Sequence, residues 1–529
     1  MSKEYDRKDL LWFFVIALIL LLLSSLPSWA GYAAQTNNLL FRGIYFDEGD
    51  YAVHISMMRA GRMGDWAYQM RFTSEPHHPA FLRMFYVVLG HISKWIGLSV
   101  EVTYELARWI LGFAALFAIY RLCLRVFQER IYARAAFGLA AFGSGLGWLQ
   151  LMLGAPLQPI SPIDFWLIDT HIFFSISLFP SYSFTLMLMA AALSLYLDYL
   201  EFPNWQKILW ISLMAIACQV VNPIAFAVVD VAFVGATLSQ WRQERKLIWN
   251  HLIALGILAI AQIPFLAYNF IILSRDPIWS PYTIQHQTLS PPPSFYFWGF
   301  ALFWPFALYA MVRAFQNLMP AWGAMLAWTF SGFALAYLPV VTQRRFLLGI
   351  TIPLGILAIR GLIELLKKLE AKSPNLLKRE NLIIFTYIVF ASLSSIYLVL
   401  GSSLYMQAHP KDVFYPKDLE AALQWLDQNA QSNEVVLGDV ETGQLVGQRT
   451  RLIAYVAHEM ETLYFDNKKA MMQAYFKNSA PTNWLDQTNA KWVVYGPYEQ
   501  AISKSFQPSD SLKLVYENNT VKIYEVKSR

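Results

Sequence analysis

Residues 45–54 read Y-F-D-E-G-D-Y-A-V-H, with Asp47, Glu48 and Asp50 inside four positions, closely behind an apolar run that begins at Leu10. Asp47 predicts a helix cap. Glu48 and Asp50 then fall in the first turn of a helix reaching about Arg59, where acids complement the helix dipole. Helical spacing puts Asp47, Asp50 and His54 at i, i+3 and i+7 on one face with Tyr51 beside them, and Val53, Met57 and Ala60 on the other. Such a helix lying on a membrane surface would expose the acidic ridge.

The rest of the chain supplies the membrane. Of 529 residues, 56% are hydrophobic and 15% charged; soluble domains carry about 25% charged residues. The 19 Trp and 28 Tyr suit interfacial aromatic belts. A net charge of +5 reports a cytoplasmic Lys/Arg bias, and no nucleic-acid partner is expected. Cys123 and Cys218 lie in or at the ends of apolar segments, which excludes a disulfide framework, and neither has metal-ligand spacing. Lys3, Arg7 and Lys8 precede the run from Leu10, which extends to about Trp29. Many spans follow, so it reads as a first span rather than a cleaved leader.

Further crossings are expected at about 102–120, 135–153, 182–199, 207–222, 223–240, 247–273, 295–312, 321–341, 346–366 and 382–404, about eleven in all. With the N-terminus cytoplasmic, Arg121, Arg125, Arg130, Arg134, Lys207, Arg242, Arg245, Lys246, Arg313, Lys367, Lys368, Lys372, Lys378 and Arg379 share the inner side. The odd count puts the C-terminus outside. The run His78–Gly97 is apolar enough to cross, but a crossing there would flip every later basic cluster. It reads as a re-entrant or interfacial helix. Outer loops then cover 30–101, 154–181 and 274–294, and Thr342–Arg345 is a short outer turn.

The fold class is therefore an α-helical polytopic membrane protein, 1–404, followed by an extracytoplasmic α/β domain, 405–529. In that domain a helix is expected from Pro416 to Ala430 with the stripe Leu419, Leu423, Leu426, and strands over Asn433–Val440 and Lys491–Tyr495. Asn518-Asn519-Thr520 fits a glycosylation sequon, but a hairpin turn explains it better.

A cytoplasmic end, one span and an outer loop opening Y-F-D-E-G-D-Y together resemble the GT-C glycosyltransferases. These include protein O-mannosyltransferases, the lipid A aminoarabinose transferase and oligosaccharyltransferases. Glu75-Pro76-His77-His78-Pro79-Ala80, the apolar helix ending at Gly97, and the helix Val102–Arg121 with Arg108 are similar to the next family elements. His78-Pro79-Ala80 departs from the Pro-Pro of several members. The resemblance covers the layout of residues 5–400 and short motifs only.

It implies inverting transfer of a sugar from a polyprenyl phosphate or diphosphate carrier to a glycan, lipid or protein acceptor, at the outer face of the cytoplasmic membrane. By position it implies Asp47 as base or acceptor-site ligand and Glu48 as its orienting neighbour. Asp50, His54, Glu75 and His77 are substrate-side candidates. Arg344-Arg345 sit outside against the charge bias. A guanidinium fork suits phosphate, with membrane anchoring as the alternative. The following R-F-L-L-G-I-T-I-P-L also resembles a family helix, which implies donor-phosphate binding.

In S-P-I-D-F-W-L-I-D-T-H (161–171), Asp169 is flanked by apolar residues, a costly place for a charge without purpose, and joins the substrate-side candidates. Asp164 and His171 share that loop. No cofactor is expected to be required. A divalent cation held by Asp47, Asp169 and Glu75 or His77 stays as an alternative, without a zinc pattern. The Trp, Tyr, Gln and His of the third loop suit sugar stacking or an interface belt equally. Gly143–Gly147 reads as small-residue packing within a helical span rather than a phosphate loop. H-E-M-E-T (458–462) lacks the second His of a zinc protease, leaving acceptor binding or a structural lid. Other functions held open are a lipid-linked glycan ligase or polymerase, a sugar-binding frame without catalysis, and a transporter or flippase. The last is disfavoured because no repeat is visible and the acids sit in a loop.

Overall fold

The computed structural model describes residues 7–155, 162–316, 318–370 and 377–527; Lys3 and Lys372, counted above on the inner side, lie outside them. The chain opens with helices α1 (Arg7–Ala33), α2 (Glu48–Met63), α3 (Met84–Ile96), α4 (Val100–Val126) and α5 (Arg130–Phe142). It forms two compact units. The first is Met1–Leu26, Leu106–Tyr268 and Thr288–Gly401; the second is Pro27–Glu105, Asn269–Gln287 and Ser402–Arg529.

The first unit is helical. Among the described residues four helices are long and apolar enough to cross a membrane: α1, α4, Pro180–Glu201 and Trp249–Arg275. Two bent pairs, Pro293–Gly299 with Trp304–Gln316 and Glu380–Ala391 with Leu393–Ala408, bring the number to six. The other apolar stretches are helical but shorter, and the break after α5 shows why. Gly145 lies so close to the carbonyls of Trp298 and Gly299, and Gly147 to the Asp164 carboxylate, that a Cβ would approach them under 3.0 Å. Gly143–Gly147 thus serves close packing, as expected, but at an interruption rather than inside a continuous helix.

Two buried charges in this unit are paired, as desolvation requires. Asp9 accepts from Tyr120 (2.7 Å) and Arg134 (2.8 Å), and Arg108 donates to the hydroxyls of Ser24 (3.0 Å) and Ser25 (2.8 Å). Cys123 and Cys218 are free and buried.

The second unit joins residues 27–105 to the C-terminal residues. Strand β1 (Leu39–Phe41) pairs antiparallel with β2 (Phe414–Pro416). The composition boundary at 404/405 lies close to the break between Gly401 and Ser402, and the C-terminal residues share their unit with Pro27–Glu105. Strands β3 (Val435–Leu437), β4 (Ile453–Ala454), β5 (Ala490–Tyr495), β6 (Leu512–Glu517) and β7 (Lys522–Val526) form one sheet in the order β4-β3-β5-β7-β6. β3 runs parallel to β4 and β5, and β7 antiparallel to β5 and β6. Helix Lys417–Asn429 buries Leu419, Leu423 and Leu426. Asn518 Oδ1 accepts the Thr520 and Val521 N–H groups (3.1 and 2.9 Å), closing the expected hairpin.

α3 has 13 residues, about 20 Å at 1.5 Å per residue, short of the roughly 30 Å apolar core of a bilayer. It packs on α2 through two glycines: a Cβ on Gly61 would strike the Val87 carbonyl, and one on Gly90 the Met58 carbonyl. Alanine is the better helix former, yet Gly90→Ala is expected to destabilise the unit by about 1–3 kcal/mol by wedging the backbones apart. Thermal unfolding in detergent checks this, and an unchanged midpoint would show that the helices separate freely.

α2 keeps the expected division of faces without lying fully open. Asp47, just before it, and Asp50 and His54 on it are half-buried, whereas Val53, Met57 and Ala60 are buried. Tyr51, expected beside the acidic ridge, is buried as well, because α3 and helix Val440–Arg449 pack on α2.

Candidate active site

In the second unit, Asp47 precedes α2 in the left-handed conformation (φ 57°, ψ 52°), and its side chain makes no capping bond to the helix. Its backbone carbonyl accepts the Tyr51 N–H (3.1 Å). The capping role suggested by local preference is not taken up. An aspartate held left-handed costs about 1 kcal/mol or more, a strain that tends to persist where a side chain is needed elsewhere.

Glu48 and Asp50 meet opposite environments. Burial pushes the Glu48 carboxyl up, against a smaller opposing pull from Arg42, and Asp412 and Glu441 push it further. Burial also acts to raise Asp50, but His458, His54, His286 and Arg83 outweigh it and hold Asp50 well below the usual carboxylate range. Neighbouring acids with pKa values driven apart are the pattern of divided acid–base roles. His458 Nε2 lies 3.7 Å from Asp50 Oδ1. His54, on the same helix, stacks on Tyr86 with ring centroids 3.9 Å apart. The predicted sharing of a face by Asp50 and His54 thus becomes an electrostatic pairing, while Glu48 responds to Arg42 and Glu441.

Beside them is a second charged group that sequence reasoning missed. Arg83 pairs with Glu461 (2.7 Å) and donates to His286 Nε2 (3.3 Å), and Tyr282 Oη–H donates to Glu461 (2.9 Å). The Glu461 side chain is fully buried. Burial acts to lower the Arg83 pKa, but Tyr282, Glu461 and Asp50 overcome it and raise it. The available signals were H-E-M-E-T, which carries His458 and Glu461, and Arg83, a cation inside the apolar run His78–Gly97. Trp279 and Tyr282 of the third loop are buried, and the Trp279 indole donates to the His78 carbonyl (3.2 Å).

Glu75 and His77 are engaged elsewhere. Glu75 pairs with Lys468 (2.7 Å). His77 donates from Nδ1 to the Glu75 carbonyl (2.7 Å) and accepts the Met70 N–H at Nε2 (2.9 Å). With both ring nitrogens used and Glu75 paired, these residues do not fit the cation alternative. Among the described residues no group of three or more His, Cys, Asp or Glu is arranged to hold a metal ion.

The first unit brings two other candidates together. Arg344, in the turn Gln343–Leu347, lies 3.4 Å from Asp169 and 5.6 Å above the Trp166 ring. Arg345 occupies the same turn, half-buried. Asp169 is buried, and among the described residues its Oδ1 accepts no hydrogen bond. Asp164 acts within the fold instead. It accepts the Gly145 N–H at the helix break, and burial pushes it up to about 7. His171, 3.9 Å away, donates to the Gly299 carbonyl (3.3 Å), and burial pushes it down to about 4. An apolar cavity of about 360 Å³ is lined by Tyr296, Trp304, Phe330, Phe333 and Tyr337 among others. Tyr296 also feels the charges of Asp169 and Arg344.

No family model matches the chain, and no curated protein matches it in sequence. Solved structures do match. The Archaeoglobus fulgidus oligosaccharyltransferase tethered to an acceptor peptide containing the NVT sequon is similar at TM-score 0.52 and 14% identity, over 92% of this chain and 69% of that one. ArnT from Cupriavidus metallidurans bound to undecaprenyl phosphate is similar at TM-score 0.51 and 13% identity, over 98% of both chains. The mycobacterial arabinofuranosyltransferase AftD is similar at TM-score 0.53 and 14% identity, over all of this chain and 42% of that one. These neighbours are GT-C glycosyltransferases, and this chain has their fold.

Proposed function

We propose that the protein is an inverting glycosyltransferase that takes a sugar from a polyprenyl phosphate or diphosphate carrier to a glycan, lipid or protein acceptor. It would act at the outer face of the cytoplasmic membrane, with the N-terminus inside, about eleven crossings and the C-terminal sheet outside; the distribution of Lys and Arg supports this orientation. The observation that carries the donor class is Arg344. It is paired with buried Asp169 and lies 5.6 Å above the Trp166 ring; the adjacent Gln343 Oε1 accepts the Ser290 N–H (3.0 Å), and the Ser290 hydroxyl accepts from Tyr296 (3.1 Å), a wall of the apolar cavity. A fixed guanidinium beside an apolar chamber suits a lipid phosphate.

The acceptor oxygen attacks the sugar's anomeric carbon while Asp47 takes its proton. The bond from that carbon to the carrier phosphate breaks, and Arg344 and Arg345 stabilise the departing anion. The Asp169 oxygen without a donor among the described residues is available to a substrate hydroxyl. No step is routed through a metal.

The test uses the purified full chain in nanodiscs with a panel of undecaprenyl-phosphate sugars and candidate acceptors. Acceptor-dependent release of undecaprenyl phosphate is the expected result. No release with any donor, combined with movement of the labelled lipid across a liposome bilayer, would make the protein a transporter instead. Arg344→Lys keeps the charge but loses the fork and the flat face over Trp166, and is expected to raise the donor KM about tenfold.

A further inference from the structure

We infer that the loop His458–Thr462 is a working part of the site and that His458 is a positioning residue, its Nε2 edge facing the Asp50 carboxylate across 3.7 Å. The inference deepens the proposed transferase reading and rests on it.

Three observations converge. The Met460 N–H donates to His458 Nδ1 (3.0 Å). Nδ1 is therefore the acceptor nitrogen, and the ring proton sits on Nε2. That nitrogen is the one 3.7 Å from Asp50 Oδ1. A backbone bond within the loop thus sets the tautomer that faces the acid, as an orienting partner does for a functional histidine. The third observation is Gly49. A Cβ there would lie 2.5 Å from His458 Cδ2 and 2.7 Å from Nε2, so the ring reaches Asp50 only because residue 49 has no side chain. A glycine in the first turn of a helix is otherwise unfavourable.

The same loop carries Glu461, which pairs with Arg83, accepts from the Tyr282 hydroxyl and lies 4.0 Å from His286 Nδ1. Asp50 is thus faced by His54 from its own helix, Arg83 from the residue before α3, His286 from the third loop and His458 from the C-terminal loop, with Glu461 as the nearby acid. Asp50 stays charged well below the usual carboxylate range. Its contribution to stability is full above the ordinary carboxylate pKa of about 4 and is lost only as pH falls through the lowered folded value.

Two measurements on the full chain test this. In nitrogen-15 histidine NMR, His458, assigned with His458→Gln, is expected to show the Nε2-protonated tautomer, with shifts that move in Asp50→Asn. An Nδ1-protonated ring, or shifts indifferent to Asp50→Asn, would overturn the inference whatever the catalytic activity. With an undecaprenyl-phosphate sugar that the wild type turns over, His458→Leu is expected to lower kcat about tenfold, move the acid limb of the pH profile upward and leave the donor KM unchanged. His458→Gln, whose amide N–H reaches toward the same carboxylate, restores most of the loss, and Gly49→Ala reproduces the His458→Leu profile. An unchanged pH profile and kcat in His458→Leu would sink the positioning role. A wild type inert toward every donor would instead refute the proposed function, and the NMR measurement alone then decides the Asp50–His458 contact.

Discussion

Asp47→Asn is expected to lower kcat for sugar transfer about 10²–10⁴-fold, the range a general base contributes, with the folded state intact. Asparagine has the shape of aspartate and tolerates the left-handed backbone at least as well, so the conformation at φ 57° is kept. Nor does the substitution remove a helix cap, because the Asp47 side chain makes no capping bond. A loss of activity therefore reports the missing proton acceptor. The measurement is steady-state transfer alongside thermal unfolding of the same preparation. Wild-type kcat in Asp47→Asn would end the assignment of Asp47 as base and turn attention to Asp50, whose charge the structure maintains through His458 and Arg83.

Arg83→Met should destabilise the second unit by about 3–5 kcal/mol, the cost of removing one partner from a buried charge pair. Glu461 is fully buried, and Arg83 supplies its only cation within 3 Å among the described residues. After the substitution the Tyr282 hydroxyl remains as a donor, but a hydroxyl does not neutralise a buried carboxylate. The double variant Arg83→Met/Glu461→Leu is expected to recover most of the loss, since replacing both members of a buried pair by apolar groups is often close to neutral. Denaturant unfolding of both variants in detergent checks the pair. Equal destabilisation of the single and double variants would mean that packing, not the uncompensated charge, carries the effect.

Much of the architecture was legible because its determinants are local. Apolar runs located the helices, the Leu419, Leu423, Leu426 stripe located Lys417–Asn429, and Asn518 located the β6–β7 turn. Helix continuity was less legible. Hydropathy alone does not show that Gly145 must pass against two carbonyls, so the stretch 135–153 breaks after Phe142. The candidate site was half legible. Spacing put Asp47, Asp50 and His54 on one face and resemblance singled out Asp47; Asp169 stood out for its apolar flanks and Arg344 for lying against the charge bias, and the structure pairs the last two. Glu75 and His77 drew notice as polar residues in a motif, yet Lys468 and Met70 account for them.

By itself the sequence determined a largely helical, apolar chain with an acidic loop after its first apolar run and a C-terminal stretch of strands, because hydropathy and turn chemistry act over a few residues at a time. Only the tertiary structure decided what the acids do. Burial pushes Glu48 one way, and His458, Arg83 and His286 pull Asp50 the other. These partners come from distant segments, and pKa values and pairings depend on which groups folding brings within a few ångströms, a relation that local spacing does not encode.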